Sequence, residues 1–191
     1  MQIIRNYNNY QKYLNHQKEK SLNNKRIKKW LNEDWLPKVE MFLEHFKRNK
    51  KYLTKGGKAL GICARTGQEI EALNKLGMKS IGVDIVAYPP LVIEGDAHKL
   101  PFKDNEFDFV FTNSFDHSIY PDVFISEMQR VLKPNGYGLL HLQLTKDVDI
   151  YAENILLDDK PVLELLNKCE IIENRNIEDI CYNKEIIFKK L

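Results

Sequence analysis

From Lys58 onward the sequence alternates short apolar runs with amphipathic stretches, and that alternation admits few folds. "KALGIC" reads as a first strand and "QEIEALNKLG" as a helix with Ile70, Leu73 and Leu76 on one face and Gly77 as its stop. "SIGVDI", "PLVIEGD" and "FDFVFTN" read as three further strands. "PDVFISEMQRVLKP" is a helix opened by Pro121, with Phe124, Met128 and Val131 facing inward, and "GYGLLHLQL" is a fifth strand. A helix near "KPVLELLNKC" and two strand-like runs, "EIIENRNIE" and "KEIIFKK", complete the chain. Strands alternating with helices predict a doubly wound α/β fold: a mostly parallel seven-stranded sheet, covered on both faces. The last two strands lie close in sequence, so one of them is expected antiparallel at the edge.

Residues 1–55 break this pattern. They are polar and helical, with Ile27, Trp30, Leu31, Leu36, Val39, Phe42, Leu43 and Phe46 at helical spacing and Pro37 at a helix start or kink. We read residues 1–191 as one domain, with residues 1–55 an N-terminal helical cap and residues 56–191 a Rossmann-like core. Tyr13, Trp30 and Trp35 suit either an aromatic lid or ordinary packing of the helices on the sheet. The run "KEKSLNNKRIKKW" holds Lys18, Lys20, Lys25, Arg26, Lys28 and Lys29. Basic residues beside an aromatic can bind nucleic acid. A solvated helix face accounts for them as well and is preferred, because a net charge of +2 is too mild to indicate a nucleic-acid partner. No apolar run reaches the roughly 18 residues needed to cross a bilayer, and the first residues lack a signal-peptide pattern. Cys63, Cys169 and Cys181 are odd in number and lack metal-binding spacing, which fits reduced thiols, no bound metal and a cytoplasmic setting.

In a doubly wound sheet, ligands sit at the carboxyl ends of the strands where strand order reverses. The first strand's exit, "LGICARTGQE", is that place. It must turn sharply and aim helix amides at a ligand. Gly67 suits a close approach, Thr66 and Glu69 fit a capping box, and Ala64 leaves room. Cys63 and Arg65 are expected to point away from a ligand or, for Arg65, over it. A dinucleotide pyrophosphate demands more glycine than this loop has, which argues against a nicotinamide oxidoreductase. Asp84 ends the second strand, where a carboxylate can accept both hydroxyls of a ribose. Asp96, after the third strand, can accept from an adenine amine. Each acid could instead be a simple turn residue.

The order "ALGICARTGQE", "GVDI", "GDAHKLPFKDNEFDFVFTN", "VLKPNGYGLLHL" resembles the class I S-adenosylmethionine-dependent methyltransferases, closest to the type 11-like group, over residues 58–144. The resemblance implies S-adenosylmethionine as cofactor. It implies that Ala64, Arg65, Thr66 and Gly67 line the cofactor's amino-acid half and that Asp84 binds the ribose with Ile85 packing on adenine. Asp96 and Ala97 would meet the adenine edge, and Asn113 and Ser114 would face the methionine moiety or the acceptor. The chain departs from the family at Gly61, where an acid that helps place the cofactor's ammonium is usual, and at Cys63 and Arg65, where glycines are usual. "NSFDHSIYP" follows the fourth strand and should rim the pocket. His117 is the candidate general base, with Asp116 orienting it or binding an acceptor amine, and Tyr120 is a candidate wall; both Asp and His could instead cap the helix at Pro121. His141, inside the fifth strand, reads as a core or sheet-face histidine. The expected function is methylation of a small-molecule acceptor, a sugar or other metabolite. The alternatives are a methyltransferase fold that has become a binding module, and an RNA or protein methyltransferase.

Overall fold

The computed structural model describes residues 1–147, 149–179 and 181–191. In chain order its elements are β1 (Gln2–Ile3), α1 (Tyr10–Leu22), α2 (Asn24–Asn32), α3 (Trp35–Arg48), β2 (Lys58–Ile62), α4 (Gln68–Lys75), β3 (Lys79–Asp84) and β4 (Val92–Glu94). They continue with β5 (Phe107–Thr112), α5 (Pro121–Val131), β6 (Leu132–Leu142), β7 (Asn154–Ile155), α6 (Lys160–Leu165), β8 (Cys169–Asn176) and β9 (Lys184–Lys190). No helix among the described residues is long and apolar enough to cross a membrane.

Seven strands form one sheet in the order β4-β3-β2-β5-β6-β9-β8. The neighbours from β4 to β6 are parallel. The antiparallel strand expected at the edge is instead internal: β9 runs antiparallel between β6 and β8. Its sequence explains the place, since Glu185, Ile186, Ile187 and Phe188 are all buried, whereas β8 is polar and half-exposed. The strand order reverses at β2 and β5, which opens the crevice where those strands end.

Side chains alternate across the sheet. Ala59, Phe109, Phe111, Leu139 and Ile187 meet Val39, Phe42 and Phe46 of α3 and Ala72 and Leu73 of α4. Leu60, Ile62, Val110, Leu140, Ile186 and Phe188 meet Phe124, Ile125, Met128 and Val131 of α5 and Val162 of α6. Period-two strands buried on both faces are what a helix-covered parallel sheet requires. One charged group interrupts the α3 face. Glu185, fully buried, accepts from Arg48 Nη2 (2.8 Å), from His141 Nε2 (2.8 Å) and from Arg175. Burial pushes its carboxyl up, but these bonds outweigh burial and hold it far below the usual range. His141 is thus the core histidine its position suggested.

The N-terminal segment is strapped to the chain after β6. Gln2 pairs with Ile155 and Ile3 with Asn154. Arg5 donates to the Ala152 carbonyl at 3.1 Å. The fully buried Glu153 accepts from Tyr7 Oη at 2.7 Å and from Gln17 Nε2 at 2.6 Å. These bonds lay α1 across the carboxyl ends of the strands.

Gly138 of β6 faces Phe188 of β9 across the ladder, and a Cβ there would fall 2.0 Å from Phe188 Cζ. Gly138→Ala should therefore cost about 1–3 kcal/mol in urea unfolding. Adding Phe188→Leu should return part of that loss; a fully additive double mutant would contradict the contact.

Candidate functional site

The loop leaving β2 passes through left-handed backbone without glycine. Cys63 has φ +61° and Arg65 φ +50°, while Gly67 has φ +93°. Each non-glycine residue in that region costs roughly 1–2 kcal/mol, and three bonds hold the path. Ala64 N–H donates to Val83 O (3.0 Å), Gly67 N–H to Ala64 O (2.8 Å), and Arg65 N–H to Asp84 Oδ2 (2.9 Å). The expected capping box does not form. Gly67 itself is the N-cap of α4, and the Thr66 hydroxyl donates to Gln68 Oε1 at 2.9 Å. Gly67 serves a close approach, but to Leu91: a Cβ would lie 2.9 Å from Leu91 Cβ.

Asp84 and Asp96 stand at neighbouring strand ends and border one opening of about 600 Å³, counted out to solvent. Cys63, Arg65, Ile85, Ala97 and Ser114 border it too. Asp84 is 8% exposed; its Oδ1 accepts from Val86 N–H at 3.2 Å. Burial raises its carboxyl above the usual value, with the backbone amides of Arg65 and Val86 opposing. Asp96 behaves oppositely: burial pushes it up, but bonds from His98 and Tyr10 prevail and lower it. Its Oδ2 accepts from Tyr10 Oη at 2.6 Å and its Oδ1 from His98 N–H at 2.8 Å. A carboxylate has about four lone-pair sites, so both acids keep capacity for a further donor.

Helix α1 supplies the roof. Tyr13, Gln17 and Lys20 border the same opening. Tyr13 Oη donates to the His117 carbonyl at 3.0 Å. Lys20, 9% exposed, reaches inward to His117 Nε2 (3.0 Å) and Asp149 Oδ2 (3.2 Å). Burial, reinforced by the charge of Arg65, pushes the Lys20 ammonium below its ordinary value. Its neighbours in the basic run behave as the preferred reading had it in part: Lys18 makes a surface contact with Glu94 and Lys29 with Asp34.

A second, polar opening of about 810 Å³, again counted to solvent, adjoins the first and shares Lys20, Arg65, Ser114 and His117 with it. Asp116, Asn113, His141, Asp149 and Tyr182 border this side. His117 Nδ1 lies 2.7 Å from the Tyr151 carbonyl. A carbonyl only accepts, so Nδ1 carries the proton and Nε2 presents its lone pair between the openings. Asp116 Oδ2 is 3.8 Å from Nε2, beyond hydrogen-bond reach. The orientation that Asp116 was expected to give comes from Tyr151 and Lys20.

A third opening, behind the loop, is bordered by Ala64, Arg65, Glu69, Lys38 and Asn113. Glu69 is 5% exposed, and burial pushes its carboxyl up to about 7. The Arg65 guanidinium lies 4.4 Å from the Trp30 ring centroid, and among the described residues no carboxylate oxygen lies within 4.0 Å of it.

Of the residues singled out from sequence, Arg65, Asp84, Ile85, Asp96, Ala97, Ser114 and His117 meet at the first opening. Ala64 and Asn113 border the third, Asp116 the second. Thr66 faces a separate depression with Tyr88 and Leu91, and Gly67 is turned to Leu91. Tyr120 stacks on Tyr10 at 5.8 Å, outside the lining. Sequence reasoning missed Tyr10, Gln17, His98 and Tyr151 and gave Lys20 no inward role. The signal for α1 was present: Tyr10, Tyr13, Gln17 and Lys20 recur at helical spacing, a polar stripe that a search for apolar periodicity passes over. The donors and acceptors present fit a nucleoside with a charged tail: two acids at neighbouring strand ends, and beside them a buried carboxylate and a guanidinium without ion-pair partners.

Residues 60–140 match the family model described as a methyltransferase domain. A demethylmenaquinone methyltransferase of Staphylococcus carnosus is 31% identical over 160 residues, covering 72% of this chain and 66% of that protein. The Staphylococcus aureus enzyme of the same name is 39% identical over 100 residues, 43% of this chain and 41% of that one, so the chain spans less than two thirds of the length of these relatives. The 1,6-didemethyltoxoflavin-N1-methyltransferase of Burkholderia thailandensis, solved with 1,6-didemethyltoxoflavin and S-adenosylhomocysteine, superposes with a TM-score of 0.69 at 12% identity. That match covers 98% of this chain and 93% of the other, and it shows a shared fold.

The Glu69 shift has a signed consequence. Its folded value, about 7, exceeds its ordinary 4.5, so the folded chain binds the proton more tightly. The resulting stability is complete below pH 4.5 and is lost as pH rises to about 7, a change on the order of 3 kcal/mol. Glu69→Gln should flatten that fall in urea titrations at pH 5 and pH 8; an unchanged slope would place the carboxyl in water.

Proposed function

The chain belongs to the class I S-adenosylmethionine-dependent methyltransferase superfamily, and we propose that it transfers a methyl group from S-adenosylmethionine to a small-molecule acceptor. The observation that carries this reading is the meeting of two openings at one set of side chains, Lys20, Arg65, Ser114 and His117. A donor on one side and an acceptor on the other would be held against each other there. When bound, the cofactor supplies an electrophilic methyl on a sulfonium, and much of the acceleration of such a displacement comes from alignment.

The chain's own groups have separable tasks. Asp84 would accept the ribose hydroxyls through the lone pairs that Arg65 and Val86 leave free. Ile85 and Ala97 would flank the base, and Asp96 would accept from its amine while still holding Tyr10. On the acceptor side, Nε2 of His117 is the proton-accepting atom, since Nδ1–H is committed to the Tyr151 carbonyl. Lys20 Nζ lies 3.0 Å from that atom and borders both openings, so it holds the imidazole in place until the proton of an acceptor hydroxyl or acidic carbon takes its position. Asp149 beside Lys20 balances the charge formed. Helix α1 keeps water from the strand ends. A small acceptor is supported by the similar proteins, a demethylmenaquinone methyltransferase and a 1,6-didemethyltoxoflavin-N1-methyltransferase. The polar lining of the second opening suits a polar metabolite. S-adenosylmethionine rests on the superfamily and on the S-adenosylhomocysteine bound to the Burkholderia protein.

Titration calorimetry with S-adenosylhomocysteine tests the reading directly. Asp84→Ala, checked for an unchanged circular dichroism spectrum, should weaken binding at least about tenfold, or about 1.4 kcal/mol; equal affinities would refute the ribose assignment. His117→Ala should leave that affinity within about threefold while removing transfer of labelled methyl to any acceptor that the wild type accepts in a metabolite screen. Parallel loss of both would make His117 a cofactor contact.

A further inference from the structure

The third opening contains a charge arrangement the proposed reaction has not used. Glu69, in the first turn of α4, is buried, its carboxylate accepts from its own backbone amide, and among the described residues it has no ion-pair partner within 4.0 Å. Arg65, four residues earlier, is spread on the Trp30 ring with its donor fork unpaired among the described residues. Lys38 stands at the same opening, its ammonium disfavoured by burial. Isolated buried charge is costly and normally finds a counter-ion. Here an anion and a cation face one opening without closing on each other, the complement of a ligand that carries both signs. Within a methyl donor, the group with both signs is the α-amino acid end, an ammonium and a carboxylate on one carbon. The backbone places the acid suitably. β2 carries no side chain at Gly61; Ile70 Cδ1 lies 2.6 Å from where its Cβ would be, and Glu69 Cγ packs next to it at 3.5 Å. The helix therefore brings a carboxyl-bearing side chain beside a strand position that has none, and Glu69 borders the same opening as Cys63 and Arg65.

We propose that Glu69 and Arg65 form a zwitterion clamp, with Glu69 accepting the cofactor's α-ammonium and Arg65 its α-carboxylate. The clamp rests on the methyl-donor reading given above. It explains why Arg65 occupies a left-handed position that glycine would fill at less cost: the guanidinium is needed there, and the Trp30 ring holds it extended toward the openings. It also explains why a carboxyl is retained in a buried site, since a bound ammonium supplies the missing partner.

Two ligands separate the clamp from the reading it rests on. S-adenosylhomocysteine carries the amino-acid end; 5′-methylthioadenosine shares the thioether nucleoside and lacks that end. In calorimetry on the full chain, the wild type should bind S-adenosylhomocysteine at least about tenfold more tightly than 5′-methylthioadenosine. Glu69→Gln and Arg65→Gln should each weaken S-adenosylhomocysteine about tenfold or more and leave 5′-methylthioadenosine within about twofold, which also shows that the variants are folded. If both ligands weaken together, or neither changes, the clamp alone is overturned. A wild type that binds neither nucleoside overturns the clamp and the methyl-donor reading together.

Discussion

One hydrogen bond ties the site together, that from the Arg65 amide to the Asp84 carboxylate. The chain leaves β2 through two left-handed residues that are not glycine, a path that local sterics disfavour. The neighbouring strand's acid accepts the amide that this path exposes, and so stabilises the turn from outside. Everything beyond follows from where the turn ends. Gly67 starts α4, Glu69 is carried inward with its first turn, and the Arg65 side chain emerges where three openings converge. Asp84 is thereby a structural tie as well as the acid proposed to hold the ribose, and its burial at 8% fits the first role as much as the second.

The sheet was largely legible because its signals are strong and local. Apolar runs with buried faces, Gly77 with φ +87° and Pro121 at the start of α5 each act over a few residues. The places of the two acids, at neighbouring strand ends beside one opening, were legible for the same reason. What escaped depended on contacts distant in sequence. β9 enters between β6 and β8 because Glu185 finds Arg48, His141 and Arg175, partners no window contains. Thr66 and Glu69 matched a capping pattern, yet the left-handed Gly67 took the cap and freed Glu69 to turn inward. Lys20 looked like one of six surface cations, and only the packing of α1 against Glu153 shows it buried.

The roof over the strand ends is therefore polar by construction. An apolar helix there would seal the crevice by hydrophobic contact. This one is held by hydroxyl, amide and ammonium groups bonded to Asp96, Glu153, His117 and Asp149. Hydrogen bonds to charged groups contribute about 1.5–3 kcal/mol each, a cost that a bond of the same kind to a ligand would offset. Tyr10 on Asp96 is the plainest case, because its hydroxyl holds the carboxylate proposed to meet the base.

The Arg65–Trp30 stack has an optical corollary. Indole emission responds to a charge poised over its ring, and Trp30 is shielded from water, 6% exposed, with a guanidinium at 4.4 Å. Trp35, the other tryptophan, borders the separate depression near Pro89. The chain thus contains its own fluorophore at the proposed clamp, so occupancy of that corner is open to spectroscopic detection without a dye or label.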